Sequence, residues 1–328
     1  MSGHSTPDPV DVAADWLALA RRRVAEAAEA AGTGKPSLPE DISASRPAPE
    51  ELLQKVLDVV PYRFSRIGPK GPRLPDGARK RLALAMTTGP RSPEGDVPAG
   101  FTFLAQFVGH DLTFARSAVT AGAPSPADLL ESRSPRLDLD AIYGTGPDDS
   151  VSAQFYEPNG RRLRVGTTVG DGGLPAFKGF DRPRRRGTVG RGQALIPDGR
   201  NDDNVALAQT HLAFIRFHNR VVAMLSGSIP RAQLFPQARA SVVKHYQWML
   251  WNDFLPRICA PEVLDDVFTN GRRLFDPAPA PMDLPAMPIE FSVAAYRLGH
   301  SMVRSEYQWN RVHRDGDATL GDLFEFAG

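Results

Sequence analysis

Apolar positions recur at helical spacing in four stretches of the chain, 100–115, 202–226, 231–254 and 287–303. The densest lies in RNDDNVALAQTHLAFIRFHNRVVAML, residues 200–225. After its polar start, Val205, Leu207, Leu212, Phe214, Ile215, Val221, Val222 and Leu225 occupy nearly every face, which predicts a buried helix. Arg200, Asp203, His211, Arg216, His218, Asn219 and Arg220 are threaded through it, and buried polar groups need partners. That mixture predicts the wall of a site rather than filler. Strand-like alternation is sparse, so the fold class is mainly α.

Residues 1–50 read as an N-terminal arm. Val12, Trp16, Leu19 and Val24 form a stripe on an Ala-rich helix, and GTGKPSLPEDISASRPAPE then breaks it with Pro, Gly and Ser. Two readings stay open: an arm packed loosely on the rest, or a helix for a partner. From ELLQKVLDVVPYRF onward, residues 51–328 read as one globular domain without repeats of solenoid length. Its 30 prolines and 29 glycines require much irregular loop between helices.

In GFTFLAQFVGHDLTFA, Gln106 and His110 stand at i and i+4, hence on one helical face. A lone histidine there is commonly a satisfied core residue; the amide one turn away and the adjacent Asp111 raise the catalytic alternative. In SRSPRLDLDAIYG, Ser134, Arg136, Asp138 and Asp140 alternate, so an extended loop would point them the same way. Carboxylates, a hydroxyl and a backbone carbonyl are the hard oxygens that Ca²⁺ takes; a solvated acidic turn is the other reading. The basic cluster DRPRRRGTVGRG, residues 181–192, has no interleaved aromatics and reads as a solvated loop. In AAYRLGHSM, Arg297 and His300 are one turn apart. Gly299 between them permits either a flat, bulky group against the backbone or a tight helix crossing.

Bulk composition narrows the setting. A chain of 328 residues can bury roughly three-quarters of its unfolded surface, enough for an interior site. Lys+Arg 39 against Asp+Glu 38 gives a net charge of +1, which argues against nucleic acid as a partner. One cysteine, Cys259, excludes an intrachain disulfide framework and a multi-cysteine metal cage. No run approaches the ~20 apolar residues of a membrane span, and MSGHSTPDPVDVAADW does not read as a signal peptide, so the expected location is cytoplasmic.

Taken together, AQFVGHDLTF, LDLDAIYG, DGRNDDNVALAQTHLAFIRFHNRVV and AAYRLGHSM resemble, in order, four motifs of the animal-type haem peroxidases, the superfamily that also holds the cyclooxygenases. The resemblance covers roughly residues 60–328 and points to a bacterial-type member with the mainly α haem peroxidase fold, incomplete at the C-terminus. It implies that His300 is the proximal iron ligand, His110 the distal acid/base, Arg200 the distal cation and Gln106 their neighbour. It further implies that Arg297 faces a haem propionate, that Asp203 lies at the cofactor, and that Asp111, Ser134, Arg136 through its carbonyl, Asp138 and Asp140 surround Ca²⁺. The implied activity is reduction of H₂O₂ with oxidation of small organic donors.

Three departures modify that picture. Gly109 and Asp203 stand where several relatives carry carboxylates ester-bonded to haem; glycine has none and Asp203 is one methylene shorter than the usual Glu. Noncovalent haem b, or at most one ester, is expected. Asn204 replaces a residue that makes a sulfonium link in one mammalian branch, so strong halide oxidation is not expected. Relatives continue past the point where this sequence stops, 28 residues after His300, and the absent part carries an Asn that bonds the proximal imidazole. Three readings of that departure stay open: the sequence is a fragment of a longer one, a second polypeptide or self-association completes the proximal side, or the pocket is defunct. Two other functions stay open: a fatty-acid oxygenase of the cyclooxygenase branch, whose radical Tyr stands where this chain has Arg297 (Tyr296 is one residue off), and a non-catalytic, partner-dependent haem-binding fragment.

Overall fold

The structure is a computed structural model that describes residues 62–69, 71–88, 95–114, 130–131, 133–134, 136–168, 179–185, 192–271, 273, 275, 286–308 and 313–325. The arm expected at 1–50 lies outside them. The fold is mainly α, and the described residues fall into two compact units.

The first unit comprises residues up to Ile67, Thr113–Pro135 and Glu262–Ser292. Strand β1 (Tyr62–Ser65) is its centre, antiparallel to β2 (Leu130–Glu131) and parallel to β3 (Met287–Pro288). The register pairs Tyr62 with Glu131 and Phe64 with Met287. Just past β1, the Ile67 amide donates to Glu290 Oε2 at 3.1 Å.

The second unit comprises Gly68–Leu112, Arg136–Pro261 and Val293–Gly328. Its centre is helix α1 (Val205–Leu225), flanked by α2 (Gly100–Leu112) and α3 (Leu234–Met249). Leu207, Ile215, Val221 and Val222 of α1 join Phe107 and Val108 of α2 and Val242 and Tyr246 of α3 in one core. The Phe107 and Phe214 rings stack with centroids 5.2 Å apart, and Tyr246 meets Phe107 edge-on at 6.2 Å.

Helix α1 is less enclosed than its composition suggests. Gln209, Ala213, Arg216 and Arg220 form an exposed stripe, and the Arg216 guanidinium covers the Phe180 ring at 4.3 Å. His211 and His218, two turns apart, remain on the buried face. The helix also starts later than expected: Asn204 caps it, Oδ1 accepting from the Leu207 amide at 2.9 Å. The residues before the cap make a separate 3₁₀ turn, Gly199–Asp202.

Two further expectations are corrected. Residues 287–303 do not form one helix: β3 takes the first two, a short helix follows at Ile289–Val293, and Ala295–Met302 is a 3₁₀ segment. The basic cluster is not simply solvated, because Arg182 is buried and bonds Asp181 at 3.0 Å and Asp202 at 2.9 Å. Arg184 pairs with the same two carboxylates. Among the described residues, no helix is long and apolar enough to cross a membrane.

Candidate active site

Helix α2, the 3₁₀ turn 199–202 and the cap of α1 bring three sequence-predicted residues together. His110, on the last turn of α2, is 7% exposed. Its backbone carbonyl, in the last turn of a helix that ends at Leu112, accepts from Arg200 Nη2 at 3.0 Å. The Arg200 guanidinium is also clamped by Asp198, Nη2 to Oδ2 at 2.7 Å and Nε to Oδ1 at 3.0 Å. Asp198 in turn caps the 3₁₀ turn, Oδ1 accepting from the Arg200 amide at 3.1 Å. Gln106, one turn before His110, accepts at Oε1 from Asn204 Nδ2 at 2.9 Å. The capping asparagine of α1 therefore holds the glutamine of α2.

Behind His110 lies a polar pair that sequence reasoning did not assign. Asn201 is fully buried; its Oδ1 accepts from His110 Nδ1 at 2.8 Å and its Nδ2 faces His211 Nδ1 at 3.0 Å. Burial, assisted by the Arg182 charge, pushes the His211 imidazole down to about 3, while Asp198 acts against that shift. His211 is therefore neutral across the ordinary pH range. Asp198, two residues before Arg200, has a signal in sequence, because Asp before a turn commonly caps it. Asn201 has none: only folding puts it between two imidazoles.

Segment 295–302 packs against α2. The Tyr296 hydroxyl donates to the Ala105 carbonyl at 2.9 Å, and Thr102 Oγ1 donates to the Met302 carbonyl at 3.3 Å. His300 is exposed, and its Nδ1 donates to the Arg297 carbonyl at 2.9 Å. A carbonyl only accepts, so that bond places a proton on Nδ1 and turns the Nε2 lone pair outward. Arg297 and Asp203 are also exposed. At Gly299 an added β-carbon would first meet Ala105 Cβ at 3.8 Å, an ordinary contact, so the crossing with α2 does not itself demand glycine.

The acidic loop is not extended as alternation implied. Leu137 and Leu139 have φ of 53° and 60°, left-handed values that turn successive side chains away from a common direction. The buried Asp111 carboxylate accepts from the Leu139 amide at 3.2 Å. Burial holds its acid well above the usual carboxylate range, and Asp140 and Asp138 add to the rise. Asp138 Oδ2 accepts from Arg239 at 3.3 Å, whereas its Oδ1 is buried without a hydrogen-bond partner among the described residues. The Arg136 carbonyl accepts from Gln247 Nε2 at 2.9 Å. Ser134 belongs to the first unit. Among the described residues, no three His, Cys, Asp or Glu side chains are gathered tightly enough to hold a metal ion.

A buried His beside a clamped Arg and a fixed Gln is an arrangement whose chemistry allows proton movement next to a positive charge. The animal haem peroxidase family model matches residues 93–324, and the chain belongs to that family. It is 36% identical over 111 residues to a peroxidase-like protein of Margaritifera margaritifera, covering 33% of this chain and 14% of that protein. With the chorion peroxidase of Drosophila melanogaster it shares 29% over 189 residues, 54% of this chain and 22% of the relative. With the thyroid peroxidase of Canis lupus familiaris it shares 28% over 216 residues, 58% and 22% respectively. The chain thus spans less than a quarter of the length of these relatives.

Proposed function

We propose that this chain is a haem-dependent peroxidase that reduces H₂O₂ and oxidises small organic donors. The observation that carries the reading is the placement of His110 and Gln106 one turn apart on α2, with Arg200 held on the His110 carbonyl and Asn204 holding Gln106. The donor set suits haem b: His300 holds a proton on Nδ1 and presents Nε2, the neutral nitrogen an iron takes. Gly109 offers no carboxylate for an ester, so we infer noncovalent attachment, with Arg297 and Asp203 as the polar groups toward the cofactor.

When bound, the haem would supply the iron centre and the store of oxidising equivalents. The chain's own residues handle the protons. His110 takes one from one peroxide oxygen at Nε2 and returns it to the other, which leaves as water; such positioned transfer is worth on the order of 10²–10⁴-fold. Arg200, always cationic, stabilises the negative charge that develops as the O–O bond breaks. Its clamp on Asp198 fixes where that charge sits, at the cost of some of its strength. Gln106 cannot titrate, so it orients peroxide or water without competing for the proton. In balance, H₂O₂ takes two protons and two electrons, the electrons arriving singly from the donor, and two waters form.

We further infer that Asp111, Asp138 and Asp140 would be the carboxylates to hold Ca²⁺, and that binding would have to draw them closer together than they stand here. The support is that two carboxylates, Asp140 and Asp138, add to the rise that burial gives the proton affinity of Asp111, and that Asp138 has a buried oxygen with no hydrogen-bond partner among the described residues. A reducing compartment is the setting we infer from Cys259 standing alone.

The experiment is titration with haemin followed by a peroxide-dependent dye assay. A Soret band and dye oxidation that falls at least 10²-fold in His110→Ala and in Arg200→Ala are expected. A Soret band with no turnover would make the chain a haem binder only, and no band at all would remove the reading.

A further inference from the structure

An amide has one donor end and one acceptor end, and that of Asn201 stands between two imidazoles. Its Oδ1 lies 2.8 Å from Nδ1 of His110 and its Nδ2 lies 3.0 Å from Nδ1 of His211. The two rings therefore cannot both donate to it or both accept from it. Facing an oxygen, His110 must carry its proton on Nδ1. Facing an N–H, His211 must present a lone pair on Nδ1, and, being neutral, carries its proton on Nε2. His211 Nε2 is buried and has no hydrogen-bond partner among the described residues, so the Asn201 amide is the group that anchors this ring there.

The geometry points to Asn201 as a positioning residue that holds His110 in its Nδ1–H tautomer, with His211 accepting from the other end of the amide. The inference rests on the reading of His110 as the group that moves the peroxide proton. A neutral imidazole with its proton on Nδ1 has its lone pair on Nε2, the nitrogen that reading uses. Were the amide turned round, its N–H would demand the lone pair at Nδ1, and a proton would occupy Nε2. His110 would remain neutral yet be unable to accept there. One rotation of a buried side chain, coupled to a second histidine that never meets substrate, separates a working base from an idle one. Complete burial of Asn201 and His211 keeps water from supplying the alternative hydrogen bonds that would let the amide turn freely.

The test is a long-range ¹H–¹⁵N correlation spectrum of the haem-free full chain, labelled at histidine and recorded at pH 8, which reads the tautomer of each ring. Signals are assigned by their loss in His110→Gln and His211→Gln. Protonated Nδ1 with bare Nε2 is expected for His110, and protonated Nε2 for His211. In Asn201→Val, His110 should move to the Nε2–H form that a free imidazole prefers. In Asn201→Asp, which still accepts but cannot donate, His110 should keep its tautomer while His211 changes. With haemin added, kcat should fall up to about tenfold in the Val variant, with KM for the dye unchanged, and recover in the Asp variant. An Nε2–H His110 in the wild type, or the same His110 tautomer in a folded Val variant, overturns the assignment. If the Val variant does not fold, the wild-type and Asp spectra decide. Correct tautomers in a haem-loaded chain that consumes no peroxide would count against the peroxidase reading and leave the positioning role standing.

Discussion

Gly109 lies against the ring of Tyr296: a β-carbon added there would stand 3.0 Å from Cε1 of the tyrosine. The ring is held at its far end too, its hydroxyl donating to the Ala105 carbonyl at 2.9 Å. Gly109, beside His110, and Tyr296, four residues before His300, are therefore one packing unit. A carboxylate at 109 would need the ring to move. Gly109→Ala is expected to destabilise the chain by about 1–3 kcal/mol through overpacking. Most of that should return in Gly109→Ala combined with Tyr296→Leu. Urea midpoints of the two single variants and the double variant check this; equal losses with no recovery would separate the two residues.

Arg182 supplies a second expectation. It is 2% exposed at the side chain and depends on Asp181 and Asp202 for its charge balance. Asp202→Ala leaves a buried cation short of one partner and should cost about 3–5 kcal/mol. The exposed pair Arg257–Asp253, broken by Asp253→Ala, should change stability within about 1 kcal/mol. Chemical denaturation of both variants distinguishes the two kinds of ion pair.

Acid should weaken the fold through its buried histidines. His211 and His218 both have folded values below the ordinary 6.5, His211 at about 3, chiefly because burial disfavours the imidazolium. In that order the unfolded chain binds more protons, so stability is fullest above pH about 6.5 and is lost as pH falls through it. His211 keeps contributing to that loss down to about pH 3, at no more than about 1.4 kcal/mol per pH unit. The slope of unfolding free energy between pH 6 and 4 should decrease by up to one proton's worth in His211→Gln. An unchanged slope would mean that the ring is protonated in the fold.

Calcium removal tests the acidic loop. With Ca²⁺ at 100 times its dissociation constant, the folded state should gain about 2.7 kcal/mol over the chelated protein. Asp138→Asn should abolish most of the gain, since its partnerless oxygen is the strongest sign of a ligand in the loop. A Tm insensitive to both Ca²⁺ and EDTA would dispose of the ion.

The sequence exposed the three long helices of the second unit because their cores are built from residues local to each helix, such as Phe103, Phe107 and Val108 on α2. It also brought His110 and Gln106 onto one face, since i and i+4 spacing is a property of the helix itself. What it hid depends on partners distant along the chain. Met287 and Pro288 leave the helical pattern because they pair with Phe64 and Ser65. The run Arg200–Asn204 offers several capping residues, and Asn204 is the one whose amide also meets Gln106 across the core. Leu137 and Leu139 take left-handed backbone that leucine does not advertise, and Asp111 accepts the Leu139 amide so exposed. His300 bonds three residues back, at the Arg297 carbonyl, which no side-chain motif could reveal.

The central claim, that iron is carried on Nε2 of His300, is tested most directly by resonance Raman spectroscopy of the haem-loaded ferrous chain. An iron–histidine stretching band is predicted in the wild type and in His110→Ala, absent in His300→Gly and restored there by added imidazole. A band that survives in His300→Gly without imidazole would contradict the account.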